Sequence, residues 1–138
     1  MPNEALVSTV KKIVSLARDG KLDEAYGGYE QLFAAPEFSS YEPADQRQAL
    51  KIMILAKTPP KPPTPAMLRA HKAAEAPLGA LVAAHGEPAD HELLGICQLV
   101  GGDAESASVT FRAGLTLERA KNPGSDLCGN LMKRVSLI

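Results

Sequence analysis

Apolar residues recur at the 3.6-residue period of an amphipathic helix along most of the chain, and glycine or proline interrupts the pattern at intervals. Asn3 is suited to cap a first helix with Leu6, Val10, Ile13, Val14 and Ala17 on one face. Gly20 ends it by supplying the left-handed conformation that other residues adopt only at a cost. A second helix is expected over about 21–35, with Leu22, Ala25, Tyr29, Leu32 and Phe33 on one side and Pro36 as its stop. A polar and aromatic loop then leads to Pro43, which opens a third helix. Its run Ile52-Met53-Ile54-Leu55-Ala56 is apolar on every side, which predicts a central, covered position.

The segment 58–65 holds five prolines in eight residues. Such a stretch cannot be helical and favours an extended polyproline path. Thr64 and Pro65 then suit the N-cap and first position of a fourth helix to about residue 84, with Pro77 expected to kink or break it. A fifth helix follows the His85-Gly86-Glu87-Pro88 turn and runs to Val100. A sixth, capped by Asp103, ends near Asn122-Pro123-Gly124, and a short last helix carries Leu127, Leu131 and Val135. No segment alternates with period 2, so the expected fold is all-α with about seven helices.

Charge and composition narrow the function classes. Lys and Arg number 15 against 16 Asp and Glu, leaving no strong field for a nucleic-acid backbone or an acidic membrane. Aromatics make up 4% and Trp is absent, so platforms for stacking single-stranded bases are scarce. Cys97 and Cys128 form no disulfide framework, and Cys97 lies in an apolar helical run where a buried thiol is expected. No signal-peptide pattern opens the chain and no apolar stretch approaches the roughly 18 residues of a membrane span. The expected setting is a reducing cytoplasm, and the expected domain is a single one over 1–138.

Gly20, Ala25, Tyr29 and Leu32 recur in spacing as Gly102, Ala107, Phe111 and Gly114. Leu94-Gly95 followed by Gly102-Asp103, Ala107 and Phe111 resembles a tetratricopeptide repeat, over about 88–121 and less closely over about 6–37, where Lys12-Ile13 replaces Leu-Gly. In such a repeat Gly95 and Ala107 are small where two antiparallel helices cross closely, and Phe111 wedges into the neighbouring pair. Ala25 and Ala107 are 82 residues apart, against about 68 for two regular periods. The surplus falls before Ala74, at the Pro-rich segment. The resemblance implies antiparallel hairpins over about 3–36, 43–85 (with the insertion 58–65) and 88–121, stacked as a short right-handed TPR-like solenoid. A capping helix over about 124–137 closes it.

Catalytic and cofactor patterns are missing. His91-Glu92-Leu93-Leu94-Gly95 opens like a helical zinc-protease motif, but Gly95 stands where the second His ligand belongs. His85, Glu87, Asp90, His91 and Glu92 are expected to be solvated residues at a helix start. There is no phosphate loop and no nucleophile elbow. No enzyme, cofactor or metal is expected.

The leading expectation is a protein–protein interaction module. In tetratricopeptide folds the first helix of each pair lines a concave groove, which points to Val10, Val14, Arg47, Lys51, Glu92, Ile96 and Leu99 as partner-binding residues. The apolar members also suit hairpin packing. Arg47 and Lys51 lie one turn apart and would meet an acidic or carboxylate-bearing segment. A second expectation is that 58–65 is itself the ligand, since Pro59-Pro60-Lys61-Pro62 and Pro62-Pro63-Thr64-Pro65 both fit P-x-x-P recognition. A stiff spacer is the plainer use of such a segment. Nucleic-acid and membrane partners are not expected, and a homodimer is left open.

Overall fold

The computed structural model describes residues 3–138. Among them the regular structure is all helical: α1 (Glu4–Arg18), α2 (Leu22–Ala34), α3 (Pro43–Ile54), α4 (Pro65–His85), α5 (Pro88–Val100), α6 (Ala104–Lys121) and α7 (Asp126–Ser136). A short 3-10 turn, Pro36–Ser40, lies between α2 and α3.

Local chemistry sets these boundaries. The side chains of Asn3, Asp103 and Ser125 each accept an amide N–H from the first turn of α1, α6 and α7, at 3.0 Å. Thr64 does the same for Met67 at the start of α4, at 3.2 Å. Gly20 and Gly102, with φ of +80° and +88°, end α1 and α5 in the same way. Each glycine donates to a carbonyl three residues back, and the next residue, Lys21 or Asp103, reaches back to Leu16 or Gln98. This paired motif satisfies carbonyls that the helix end would otherwise leave open.

By its internal contacts the chain divides into two compact units, one up to Pro77 and the other Leu78–Ile138. The boundary falls inside α4, which runs through Pro77 without a break. Proline there removes one amide donor, yet the helix is long enough on both sides to persist.

The first unit is built on the α1–α2 hairpin and an aromatic chain. Tyr29 stacks on Phe33 (5.7 Å), Phe33 meets Phe38 edge-on (5.1 Å) and Phe38 meets Tyr41 (6.0 Å). Residues 36–42 were expected to be loop; instead the 3-10 turn buries Phe38 completely against this chain. Gln46 ties the segment down by donating to the carbonyls of Tyr41 (2.8 Å) and Ser39 (3.3 Å). The apolar run at the end of α3 is only half covered. Met53 and Ile54 are buried, whereas Ile52 and Leu55 are exposed, because the helix ends at Ile54 and presents one face outward.

In the second unit α5 and α6 form a tight hairpin, and α7 packs on α6. Ala107, Phe111, Leu115, Cys128 and Leu131 make its core, with Ile96, Leu127 and Val135 packed against them. Phe111 lies over Gly95 of its own hairpin as well as meeting α7 residues. Both cysteines are buried and outside any disulfide.

Candidate functional site: an apolar trough between α1 and α3

The first unit has a cleft of about 280 Å³ between α1 and α3. Leu6, Val10 and Ala49 form its buried floor. Val7 and Lys11 from α1 and Gln48 and Ile52 from α3 form its rims, with Val7 and Ile52 each 37% exposed. At one end the Asn3 amide donates to the Asp45 carboxylate at 3.3 Å. Both helices face the cleft with residues three and four apart, as amphipathic helices do when one stripe is shared between core and opening.

A second cleft, also about 280 Å³, shares Ile52 with the first. It continues along α1 through Val14, Ala17 and Arg18, and is backed by Tyr26, Tyr29 and Met53. Burial raises the pKa of Tyr26. Burial, and then the neighbouring Tyr26, pushes Tyr29 up to about 12, so both phenols stay protonated at ordinary pH. His71 of α4 lies beside Tyr26, with ring centroids 6.2 Å apart. Its Nδ1–H donates to the Met67 carbonyl at 2.9 Å, and burial lowers its pKa despite that bond. The two clefts adjoin at Ile52 as an apolar trough with polar groups near its edges and two tyrosines behind its second part. Its chemistry suits holding apolar side chains.

The seven residues singled out from the sequence fall into two groups. Val10 and Val14 line the two adjoining clefts. Arg47 and Lys51 share α3, where Arg47 is half-buried and Lys51 exposed. In the other unit, Glu92 is buried and accepts from Arg134 Nε at 2.9 Å, and Ile96 packs into the core shared with α7. Leu99 is 43% exposed. The rim residues Val7, Lys11 and Ile52 were missed; Val7 and Lys11 stand just off the buried α1 stripe of Leu6, Val10 and Ile13, and Ile52 just off the buried α3 residues Ala49 and Met53.

Asp90, His91 and Glu92 overturn the expectation of a solvated helix start, since all three are buried while His85 and Glu87 are exposed. His91 Nδ1–H donates to the Glu87 carbonyl at 2.9 Å, and Gly114 lets α6 approach its Cβ closely. Among the described residues, no group of three or more His, Cys, Asp and Glu side chains is placed to hold a metal ion. No helix among them is long and apolar enough to cross a membrane.

No protein-family model matches the chain, and no curated protein or solved structure matches it either.

Proposed function

We propose that this chain is a protein–protein interaction module, an adaptor of tetratricopeptide-like hairpins working in the cytoplasm, that holds a partner segment along the trough between α1 and α3. One observation carries the reading. Two first-of-pair helices leave an apolar floor open between them, with Val7 and Ile52 exposed on its rims. Apolar side chains kept at the surface in one contiguous strip are a feature of binding grooves. The matched helix endings at Gly20 and Gly102, and the buried Ala25 and Ala107 that follow each, support the hairpin family.

The test is proximity labelling with the full chain beside the double variant Val7→Asp, Ile52→Asp. Both side chains are more than a third exposed, so the variant is expected to keep its helical circular dichroism and melting temperature. Loss of a reproducible partner set supports the trough; an unchanged set removes it.

The alternative reading, 58–65 as a ligand, is favoured by the exposure of Lys61, Pro62 and Pro63. Against it, Thr64 is committed to capping α4, and Pro60 and Thr64 line a recess with Lys21, Asp23 and Glu24. Replacing Pro59, Pro60, Pro62 and Pro63 with Ser separates the two readings. Binding lost at an unchanged melting temperature selects the ligand, and binding retained selects the spacer.

A further inference from the structure

We infer that the occupant of the trough is an amphipathic helix with acidic flanks, an inference that rests on the trough being the binding site. The argument for a helix starts from the backbone of the occupant. An extended segment laid along the cleft would direct its N–H and C=O groups sideways at the rims, where Val7 and Ile52 offer no hydrogen-bond partner. The polar groups around the first cleft are few: Asn3, Lys11, Gln48, and Asp45, whose carboxylate already accepts the Asn3 amide. A helix satisfies its own backbone and needs only apolar anchors along one stripe. The trough matches that shape, because Val7 and Lys11 on α1 and Gln48 and Ile52 on α3 form two ridges at helical spacing with a groove between them.

The argument for acidic flanks is the segregation of charge within the first unit. Residues 4–18 carry Lys11, Lys12 and Arg18 against Glu4 alone. Residues 43–57 carry Arg47, Lys51 and Lys57 against Asp45 alone. The intervening residues 19–42 reverse the balance, with Lys21 alone against Asp19, Asp23, Glu24, Glu30, Glu37 and Glu42. Both helices that form the trough are therefore cationic, while α2 and its flanking segments are acidic. Lys11 on one rim and Lys51, exposed outside the cleft three residues on from Gln48 of the other rim, would meet carboxylates on either side of an inserted apolar stripe.

The experiment uses the isotope-labelled full chain and three synthetic peptides, read by amide shifts of Val7, Val10, Lys11, Ala49 and Ile52. The first peptide is a helix with Leu at i, i+3, i+4 and i+7 and Glu on both flanks. The second carries Lys in place of Glu. The third is the acidic peptide with two central prolines that forbid the helix. The first alone is expected to shift the trough amides, with affinity falling as salt rises and about tenfold weaker for Lys11→Glu, Lys51→Glu. Lys11→Gln, Lys51→Gln is expected to lose less, at an unchanged melting temperature. Equal binding of the Lys-flanked peptide overturns the acidic flank, and equal binding of the proline peptide overturns the helix; both outcomes leave the trough as a binding site. If none of the three moves those amides, the trough reading fails together with this inference.

Discussion

The α1–α2 and α5–α6 hairpins are built on one plan, 82 residues apart, yet their equivalent surfaces do different things. Gly20 corresponds to Gly102, Ala25 to Ala107 and Tyr29 to Phe111, and each pair shares its conformation or its burial. Val10 and Val14 correspond to Glu92 and Ile96. In the first hairpin these positions line open clefts; in the second they are engaged within the unit, Glu92 by Arg134 of α7 and Ile96 by the core that α7 completes. The same backbone motif can thus present a groove or a covered face, depending on whether a further helix of the chain is laid against it. The interlock of the helices is also reversed. In the first hairpin, Ile13 of α1 rides over Gly28 of α2. In the second, Gly95 of α5 yields to Phe111 of α6.

That reversal sets the largest expected effect. A Cβ on Gly95 would stand 2.6 Å from Phe111 Cδ1, and the ring is fully buried, so neither can retreat. Gly95→Ala is expected to destabilise by about 2 kcal/mol, the upper end of roughly 1–3 kcal/mol for overpacking less a helix-propensity gain of up to about 1 kcal/mol. A Cβ on Gly28 would stand 2.9 Å from Ile13 Cγ1 and 3.2 Å from Cδ1, a shallower overlap with a single aliphatic side chain. Gly28→Ala is therefore expected to stay within about 1 kcal/mol of wild type, since the same propensity gain offsets a smaller clash. Denaturant midpoints measure both. Equal losses would mean that the two hairpins interlock alike, and Phe111→Leu should recover part of the loss only in the Gly95→Ala background.

The ion pair that covers Glu92 gives the next. Arg134 also stands over the Phe111 ring, 5.9 Å from its centroid, so it joins α5, α6 and α7. Arg134→Met leaves a mostly buried carboxylate without its cation, which costs several kcal/mol when both groups are fully buried. Arg134 is 34% exposed, so solvent screening reduces the expected loss to about 1–2 kcal/mol. Adding Glu92→Val, the residue type at the equivalent Val10, should restore most of it by replacing the pair with apolar packing. A double variant no more stable than Arg134→Met would show that the pair does more than neutralise charge.

The helix plan was legible in the sequence because its signals are local. A cap, a left-handed glycine or a stopping proline acts within one turn, and Asn3, Gly20, Gly102 and Asp103 do what their types dictate. The cover over each face was not legible, because it depends on residues far along the chain. Arg134 is 42 residues from Glu92, and nothing near Asp90, His91 and Glu92 announces that they will be buried. Phe38 was hidden for another reason: it and its partner Tyr41 lie in a short segment that reads as loop, where no helical period marks a buried face. The candidate trough was half legible. Val10 and Val14 belong to the stripe that periodicity finds, whereas Val7 and Ile52 matter because nothing in the unit covers them fully.

Acid should separate the hairpins next. His71 is buried beside Tyr26 of the first hairpin, and burial lowers its pKa below the ordinary value of 6.5. The unfolded chain takes up that proton near the ordinary value, while the folded one does not until lower pH. The stabilisation is therefore complete above about pH 6.5 and is lost as pH falls from there through the folded-state value. The melting temperature should drop over that interval, and His71→Leu should flatten the drop. An identical pH slope in the variant would assign the acid sensitivity to other groups.

The smallest effect tests whether the equivalence between hairpins holds residue by residue. Gly27 sits next to Gly28 in the middle of α2, where glycine costs helix stability because its unfolded backbone is so free. Gly28 has a reason to be glycine in the Ile13 side chain above it; Gly27 has none, since a Cβ there would meet nothing within 4 Å. The equivalent residue in α6 is Val109, which is 66% exposed and carries a branched side chain without hindrance. Thr110, the counterpart of Gly28, instead turns its hydroxyl to Gln98, donating to Oε1 at 2.7 Å. Gly27→Ala should thus raise stability by about 0.5–1 kcal/mol, the ordinary difference between the two residues inside a helix. A melting temperature lower than wild type would mean that α2 needs a flexible or closely approached backbone at residue 27, and that the correspondence with Val109 ends at the buried face.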